Sequence, residues 1–511
     1  MTTYKIGTRG SLLAVTQSTL IKNELEKISG EKFELVLIKT QGDQITNKPL
    51  WQLEGKDFFT KELDEALLAD EVDLLIHSYK DLGSERPLGI KLAAITERRF
   101  AHDILIIPQK NIEELKNWKG DFVVGTSSPR RIANISHSLK NYIPYSPNIR
   151  CETLRGNVNT RIRKLKDGEY HAITLALAGI ERLAHTEKSA FELKELLSGM
   201  NYFVMPQSIF PSAASQGALG IEMRKDRSDD GKLFNILSKL SHSKTVEEVE
   251  RERKTFKEFG GGCHLAVGIH VKKINDNLFL HVHAGEVDSQ RIERKRLEGI
   301  TFPSLHSDKK LFVGLPKTDK QNIVSDEYLK KVPFTKELDL TDKHVFVTSM
   351  YCLPTLKSSS RSEGLWAAGA KSARDLAANG FWVNGTADSL GTEDLKNIQS
   401  SKALQIIHSN LNKSWSVLTH EDSKSDMGDV VGTYERKTVE VSNDYENKLK
   451  EVGACYWTSF PQYESFLKKF PFLKEASHFC GMGKTWQEFK KAGVPVYPIA
   501  QMQDFYDLLR K

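Results

Sequence analysis

Residues 72–83, VDLLIHSYKDLG, carry the pattern on which the fold turns. An apolar run, Val72–Ile76, has the length of a strand and ends in His77, Ser78, Lys80 and Asp81. A buried strand that delivers polar groups at its carboxyl end belongs to an open α/β sheet, where ligands bind beyond the strand ends. Similar runs at Lys5–Thr8, Glu34–Lys39, Phe122–Gly125 and Ala172–Ala176 alternate with amphipathic helical patterns through the first 220 residues. The first such helix reads SLLAVTQSTLIKNELEKIS from Ser11, a residue type whose hydroxyl caps helix N-termini. This alternation predicts α/β lobes with largely parallel sheets.

Outward from that strand, cations recur at strand-to-helix turns. Arg9 ends the opening strand just before Gly10 and Ser11, and GTSSPRR (125–131) places Ser128 as an N-cap, Pro129 at the first helical position, and Arg130 and Arg131 in the first turn. LRGNVNTRIRKL adds Arg155, Arg161 and Arg163, and GIERL adds Arg182. A helix N-terminus carries a positive dipole end, which disfavours arginine unless an anion is also present. A single arginine reads equally well as solvated surface; several such corners predict a polyanionic ligand. Asp81 reads either as a carboxylate that accepts an N–H and stabilises a developing cation, or as half of a surface pair with Lys80. Cys263, after three glycines in FGGGCHLAVGIH (259–270), reads either as a thiol on a mobile loop or as a small buried hydrophobe.

The chain has 511 residues, 39% hydrophobic and 27% charged, which exceeds one core and predicts several domains. Its mean hydropathy is −0.42. A net charge of +6 from 73 cationic and 67 acidic residues gives no reason to expect a nucleic-acid partner, and no run is apolar enough to expect a membrane partner. A cytoplasmic monomer acting on small molecules is expected. Cysteines 151, 263, 352, 455 and 480 form no C-x-x-C pair, so no disulfide framework and no metal site is expected; His478 and Cys480 lack a second ligand pair. The polar stretch EMRKDRSDDGK (222–232) precedes a charged helix, TVEEVERERKTFKEF, and two alternating strands, HLAVGIHVKKI and LFLHVHAGEV, which predict a small α+β domain. From Leu311 a second α/β unit begins, with LFVGL, HVFVTS, SARDLAANGF, ALQIIHS, ACYWTS and TWQEFKKAG.

IGTRGSLLAVTQ, KTQGD, EGKDFFTKELDEALL, HSYKD, GTSSPRR, LRGNVNTR, GIERL, PSAASQGALGIE and ERKTFKEFGGGCHLAVG resemble, in this order, the motifs of the porphobilinogen deaminase (hydroxymethylbilane synthase) family. The resemblance spans roughly residues 4–300. It implies two lobes like those of periplasmic binding proteins and a third, small α+β domain holding a dipyrromethane cofactor as a thioether on Cys263. The expected boundaries are lobe one at 1–98 with 199–220 returning to it, lobe two at 99–198, and the cofactor-carrying domain at 221–305. The resemblance implies four porphobilinogens joined head to tail with loss of ammonia, then release of hydroxymethylbilane. It makes Asp81 and Lys80 catalytic. Lys80, Asp81, Thr126, Ser127, Ser128, Arg130, Arg131, Arg155 and Gly156 would hold the cofactor. Arg9, Ser11, Lys56, Phe59, Arg155, Arg161, Arg182 and Gln216 would hold substrate. The sequence departs from the family at Asp57, at Leu82–Gly83, at Ser215 and at Gly261; Asp57 and Ser215 stand where glycines are usual.

HVFVTS (344–349), WAAGAKSARDLAANGFWV (366–383), YERK (434–437), ACYWTSFPQYESFL (454–467) and HFCGMGKTWQEFKKAGVPV (478–496) resemble the uroporphyrinogen-III synthase family. That resemblance implies a two-lobed α/β unit over 310–511, with lobe A at 310–331 and 438–511 and lobe B at 332–437, the first part of lobe A being short. It implies closure of hydroxymethylbilane to uroporphyrinogen III, with Tyr434 assisting departure of the hydroxyl and Thr348, Ser349, Thr458 and Ser459 at strand ends holding carboxylates. Two other readings stay open: a deaminase with an inactive, structural C-terminal domain, and a non-enzymatic two-lobed anion-binding protein.

Overall fold

In the computed structural model, which describes residues 2–40, 60–83, 85–229, 231–262, 265–306, 308–316 and 322–509, the decisive strand is Leu74–Ser78. It starts two residues later than the apolar run Val72–Ile76. Asp73 explains the shift, because its carboxylate accepts the Lys5 N–H at 2.7 Å and the Arg227 guanidinium at 2.5 Å. A charged group with two such partners stays at the sheet's edge, and the strand's buried part moves on to include His77.

The first lobe is a five-stranded sheet ordered Lys32–Ile38, Thr3–Arg9, Leu74–Ser78, Leu219–Arg224, Ile90–Ile95. The first three run parallel, and Leu219–Arg224 is antiparallel to both its neighbours. The second lobe is also five-stranded, ordered Asn148–Glu152, Asp121–Gly125, Ala172–Ala176, Asp103–Pro108, Met200–Val204. Helix Leu12–Ser29 starts at Ser11, whose hydroxyl accepts the Ala14 N–H as expected. The chain passes between the lobes at 96–102 and again at 205–218.

Two boundaries differ from those expected. The segment 199–220 does not return to lobe one as a whole: Met200–Val204 pairs antiparallel with Asp103–Pro108 of lobe two, and the returning strand is Leu219–Arg224. All five residues of Met200–Val204 are buried, so this strand needs a position covered on both faces. Nor does the small domain start at 221. Helix Lys232–Ser238 places Leu233, Ile236 and Leu237 in lobe one's core with Tyr4, Ile21 and Leu25. The small domain's own elements are helix Ser243–Glu258 and a three-stranded sheet, Ala266–Lys273, Phe279–Val287 and Gln290–Glu298.

The chain divides into two compact units, one of residues 1–273, 282–294 and 401–409, the other of 274–281, 295–400 and 410–511. The second holds a parallel five-stranded sheet, Ile323–Ser325, Lys310–Val313, Val452–Trp457, Ser477–Gly481, Tyr497–Ile499. Its other sheet is six-stranded: Leu329–Pro333, Asp429–Thr438, Trp415–His420, His344–Val347, Gly364–Ala367, Gly385–Thr386. Leu329–Pro333, mostly within the stretch expected for lobe A, belongs to the six-stranded sheet. Among the described residues between Val313 and Ile323 there is no helix.

Residues 401–409 depart from the expected 310–511 unit and cluster with the first. Helix Lys402–Ile407 begins on Glu181, a buried carboxylate that accepts the Ser401 hydroxyl at 2.7 Å and the backbone N–H groups of Lys402 and Ala403 at 3.2 and 3.1 Å. An anion at a helix N-terminus is favourable, which accounts for the docking. No helix among the described residues is long and apolar enough to cross a membrane.

Candidate active site

Leu74–Ser78 runs directly into a tight turn, Tyr79–Asp81, which presents Lys80 and the exposed Asp81. The turn is held from the small domain's helix. Arg253 donates to the carbonyls of Tyr79 and Leu82 at 3.2–3.3 Å and of Gly83 at 2.6 Å, with its guanidinium 4.6 Å from the Tyr79 ring centre. Sequence reading missed Arg253, since nothing in ERERK distinguishes it from its solvated neighbours.

Lys80 donates to the Gln216 carbonyl oxygen at 3.2 Å, and the Gln216 amide donates to Asp103 at 3.0 Å and to the Ala101 carbonyl at 2.7 Å. Burial pushes the Lys80 ammonium down to about 8; Asp81 and Asp103 pull it up while Arg131 and Arg130 push it down. Asp103 lies between Arg130 and Arg131, 2.7 Å from each. Burial would raise its pKa, yet the two guanidinium groups prevail and hold it far below the usual carboxylate range. The expected open corner at 125–131 is therefore half closed. Arg130 and Arg131 are 6% and 8% exposed, and they also donate to the carbonyls of Pro211 and Thr174 at 2.8 and 3.1 Å. Asp103 heads a fully buried strand, DILIIP, a charge in an apolar context that could have been noticed in the sequence.

Of the remaining arginines, Arg161 adjoins Arg131 and Arg155, and Arg182 adjoins Asp81. Arg161 is pushed down to about 10 by burial and by the charges of Arg131 and Arg155, and its Nε donates to the Gly156 carbonyl at 2.7 Å. Burial also lowers Arg155. Gly156 has φ of +112°, and a Cβ there would lie 2.7 Å from the Thr160 methyl, so glycine is required. Arg182, 6% exposed, donates to the Gly217 carbonyl at 2.6 Å and is pushed down to about 10 by burial and by Arg99, against the pull of Asp81. Arg99 is a cation that sequence reading missed. Arg163 turns away, is exposed and faces Glu192 at 3.5 Å.

Thr126 is buried, and Ser127 donates to the Leu154 carbonyl at 2.7 Å, tying GTSSPRR to LRGNVNTR. Ser128 stands at the N-cap position of Pro129–Ser138, but its side chain makes no capping bond; Pro129 has no N–H, and Thr126 accepts the Ser128 N–H at 3.4 Å instead. Arg9 ends its strand half-buried and Ser11 is committed to its helix cap. Lys56, Phe59 and Cys263 lie outside the described residues. The glycines before Cys263 do show the expected freedom: Gly260, Gly261 and Gly262 all have positive φ, at 92°, 62° and 96°. Beneath the turn, Asp64, His77 and Glu222 bring their ligand atoms within 4.8 Å of one another, but Arg86 binds both carboxylates at 2.5 and 2.8 Å. His77 is pushed down to about 3 by burial, then Arg86 and Arg9, so it is neutral.

In the second unit, Tyr434 is 5% exposed, with its ring 5.6 Å from Tyr351 and 5.5 Å from His420. Burial raises its hydroxyl's pKa, while Arg436 and hydrogen bonds with Thr348 and Arg436 lower it. Thr348 donates to the Leu418 carbonyl at 3.1 Å and Ser349 accepts the Tyr351 N–H at 3.4 Å. Thr458 and Ser459 follow Val452–Trp457 of the other sheet, and both engage Gln462, at 2.9 and 3.4 Å. A cavity of about 410 Å³, lined by Asn275, Trp486, Lys490 and Val496 among others, holds none of these groups.

A family model described as the dipyrromethane cofactor binding domain of porphobilinogen deaminase matches residues 4–231. A porphobilinogen deaminase of Gloeobacter violaceus is 38% identical over 53% of this chain and 76% of its own length. One of Trichlorobacter lovleyi is 36% identical over 64% of this chain and 97% of its own. The chain belongs to the porphobilinogen deaminase family. This is a family of tetrapyrrole-biosynthesis enzymes, and its cofactor is dipyrromethane. Among solved structures, a uroporphyrinogen-III synthetase of Helicobacter pylori matches 37% of this chain and 92% of its own at 17% identity, with a TM-score of 0.26.

The first unit's described residues suit that cofactor's carboxylate side chains. Arg130 and Arg131 share the buried carboxylate of Asp103, Lys80 reaches it only through Gln216, and the Arg131 Nε is buried without a hydrogen-bond partner. Ser215, at a usual glycine position, has φ of +65° and a buried hydroxyl without a partner, while its N–H donates to Glu252 at 2.7 Å.

Proposed function

We propose that the first unit joins four porphobilinogens head to tail, with loss of ammonia, on a dipyrromethane held by Cys263, and releases hydroxymethylbilane. The observation that carries this reading is a cluster of cations with few compensating anions: Lys80, Arg130 and Arg131 about the buried Asp103, Arg161 beside Arg131 and Arg155, and Arg182 beside the exposed Asp81. Every pyrrole unit brings an acetate and a propionate, so the cluster's excess positive charge suits a growing polyanion, and arginine forks suit carboxylates. When bound, the cofactor supplies the pyrrole carbon at which the chain grows. Asp81 accepts pyrrole N–H groups and stabilises the positive charge that develops as ammonia leaves porphobilinogen. Lys80, with its pKa near 8, remains charged at neutral pH and binds a carboxylate.

We further infer that the second unit closes hydroxymethylbilane to uroporphyrinogen III, with the buried Tyr434 assisting departure of the hydroxyl. The placing of Thr348 and Arg436 on the Tyr434 hydroxyl supports it. Intact mass and product analysis test both parts. The full chain should be heavier than its sequence by one dipyrromethane, Cys263→Ser should remove that increment and the activity, and porphobilinogen should yield mainly isomer III. An active unmodified protein would overturn the first part, and isomer I alone the second.

A further inference from the structure

Leu329–Pro333 and Asp429–Thr438 pair antiparallel, and their register sets Lys331 directly opposite Arg436. Like charges facing across a ladder are destabilising. Both side chains are half-buried, and among the described residues neither makes an ion pair. The Arg436 Nε is buried without a hydrogen-bond partner, and the Lys331 ammonium lies 5.5 Å from the Tyr351 ring centre.

The nearby groups do not neutralise the pair. Asp326 is committed to the Gln462 amide at 2.6 Å and to the N–H groups of Tyr328 and Leu329 at 3.0 and 2.8 Å. Glu435 pairs with Lys437 at 2.7 Å. Burial, Arg436 and Lys331 lower the pKa of His420, against the pull of Asp422 and Glu421. Two cations thus stand beside Tyr434, with Asp326 acting on Lys331 from a distance but with no ion pair to either cation among the described residues, an arrangement that costs stability until an anion arrives.

We propose that Lys331 and Arg436 form a carboxylate-binding site, and that they seat the acetate and propionate of the bilane ring whose hydroxymethyl group faces Tyr434. The ring assignment rests on the cyclase reading above; the anion site does not. Two seated carboxylates neutralise the pair, so positive charge that develops as the hydroxyl leaves meets no net repulsion from it.

The full chain and its Lys331→Gln and Arg436→Gln variants are titrated with uroporphyrin III, followed by porphyrin fluorescence. The first unit is the same in all three, so a difference belongs to the pair. Each substitution should weaken binding about tenfold, equivalent to about 1.4 kcal/mol. The ligand-free variants should melt no lower than the parent, because repulsion has been removed. Binding within twofold of the parent would overturn the site, as would weaker binding accompanied by a lower melting temperature, which marks a structural role. In parallel, hydroxymethylbilane is supplied directly and the isomers are separated. If the parent makes only isomer I, the cyclase reading and the ring assignment fall, while the titration still decides the anion site.

Discussion

Asp103 sits between Arg130 and Arg131 at 2.7 Å from each, whereas Lys331 and Arg436 face one another with no ion-pair partner among the described residues. In the first unit the guanidinium groups are also braced by the carbonyls of Pro211, Thr174 and Gly217, so their directions are set before any ligand binds. In the second, repulsion is left standing and a ligand's charge would relieve it. The repeated condensation proposed for the first unit suits the braced arrangement, since orientation costs nothing at each turn. The single closure proposed for the second unit would instead use the ligand to complete its site.

The largest test of this contrast is Asp103→Asn. Removing one partner from a buried ion pair leaves uncompensated charge and costs about 3–5 kcal/mol, so the first unit's melting transition should fall by several degrees, whereas Lys331→Gln should lower nothing. The Asp103 contribution also has a fixed pH sense. Its pKa is depressed in the fold, so the stabilisation is present above the ordinary carboxyl value near 3.8 and is lost as the pH falls toward the lower folded one. A parent protein whose acid melting limb is unchanged by Asp103→Asn would break the comparison.

A smaller effect is expected at the brace on the Tyr79–Asp81 turn, on which the proposed role of Asp81 depends. Arg253→Gln should reduce kcat about tenfold or more, because displacing a reacting group by about 1 Å can cost that much. Circular dichroism should be unaltered, and steady-state kinetics with porphobilinogen should show kcat changing more than KM. The smallest is Ser215→Gly. Relief of a left-handed φ and of an unpaired hydroxyl should stabilise the first unit by about 1 kcal/mol, read as a rise of a few degrees in thermal melting.

Much of the scaffold was legible because periodicity is local. Ala172–Ala176 forms at the residues expected, and Ser11 caps its helix through its hydroxyl. Gln290–Glu298 was not legible, since QRIERKRLE alternates charges on a partly exposed face and reads as solvated chain. Ser128 shows the limit of motif logic: it holds the cap position while the hydrogen bond runs elsewhere. The cationic character of the site was readable from residue types at turns. Its bracing was not, because Asp103, Arg253 and Gln216 come from distant segments that only tertiary packing brings together. The same holds for Lys331 and Arg436, which look unremarkable apart and become informative through their ladder register.

The Glu181 cap has a consequence for how this gene could be divided. A cut near residue 305 follows the sequence motifs neatly, yet it would strand helix Lys402–Ile407 in the second product. That product would carry the buried Ala403 and Leu404 without their surroundings and lose all three hydrogen bonds that it donates to Glu181. The first product would keep Glu181, beside Arg182, with no helix to receive its charge. Separate expression would therefore damage both halves, and co-expression of the two should recover more function than mixing them after purification.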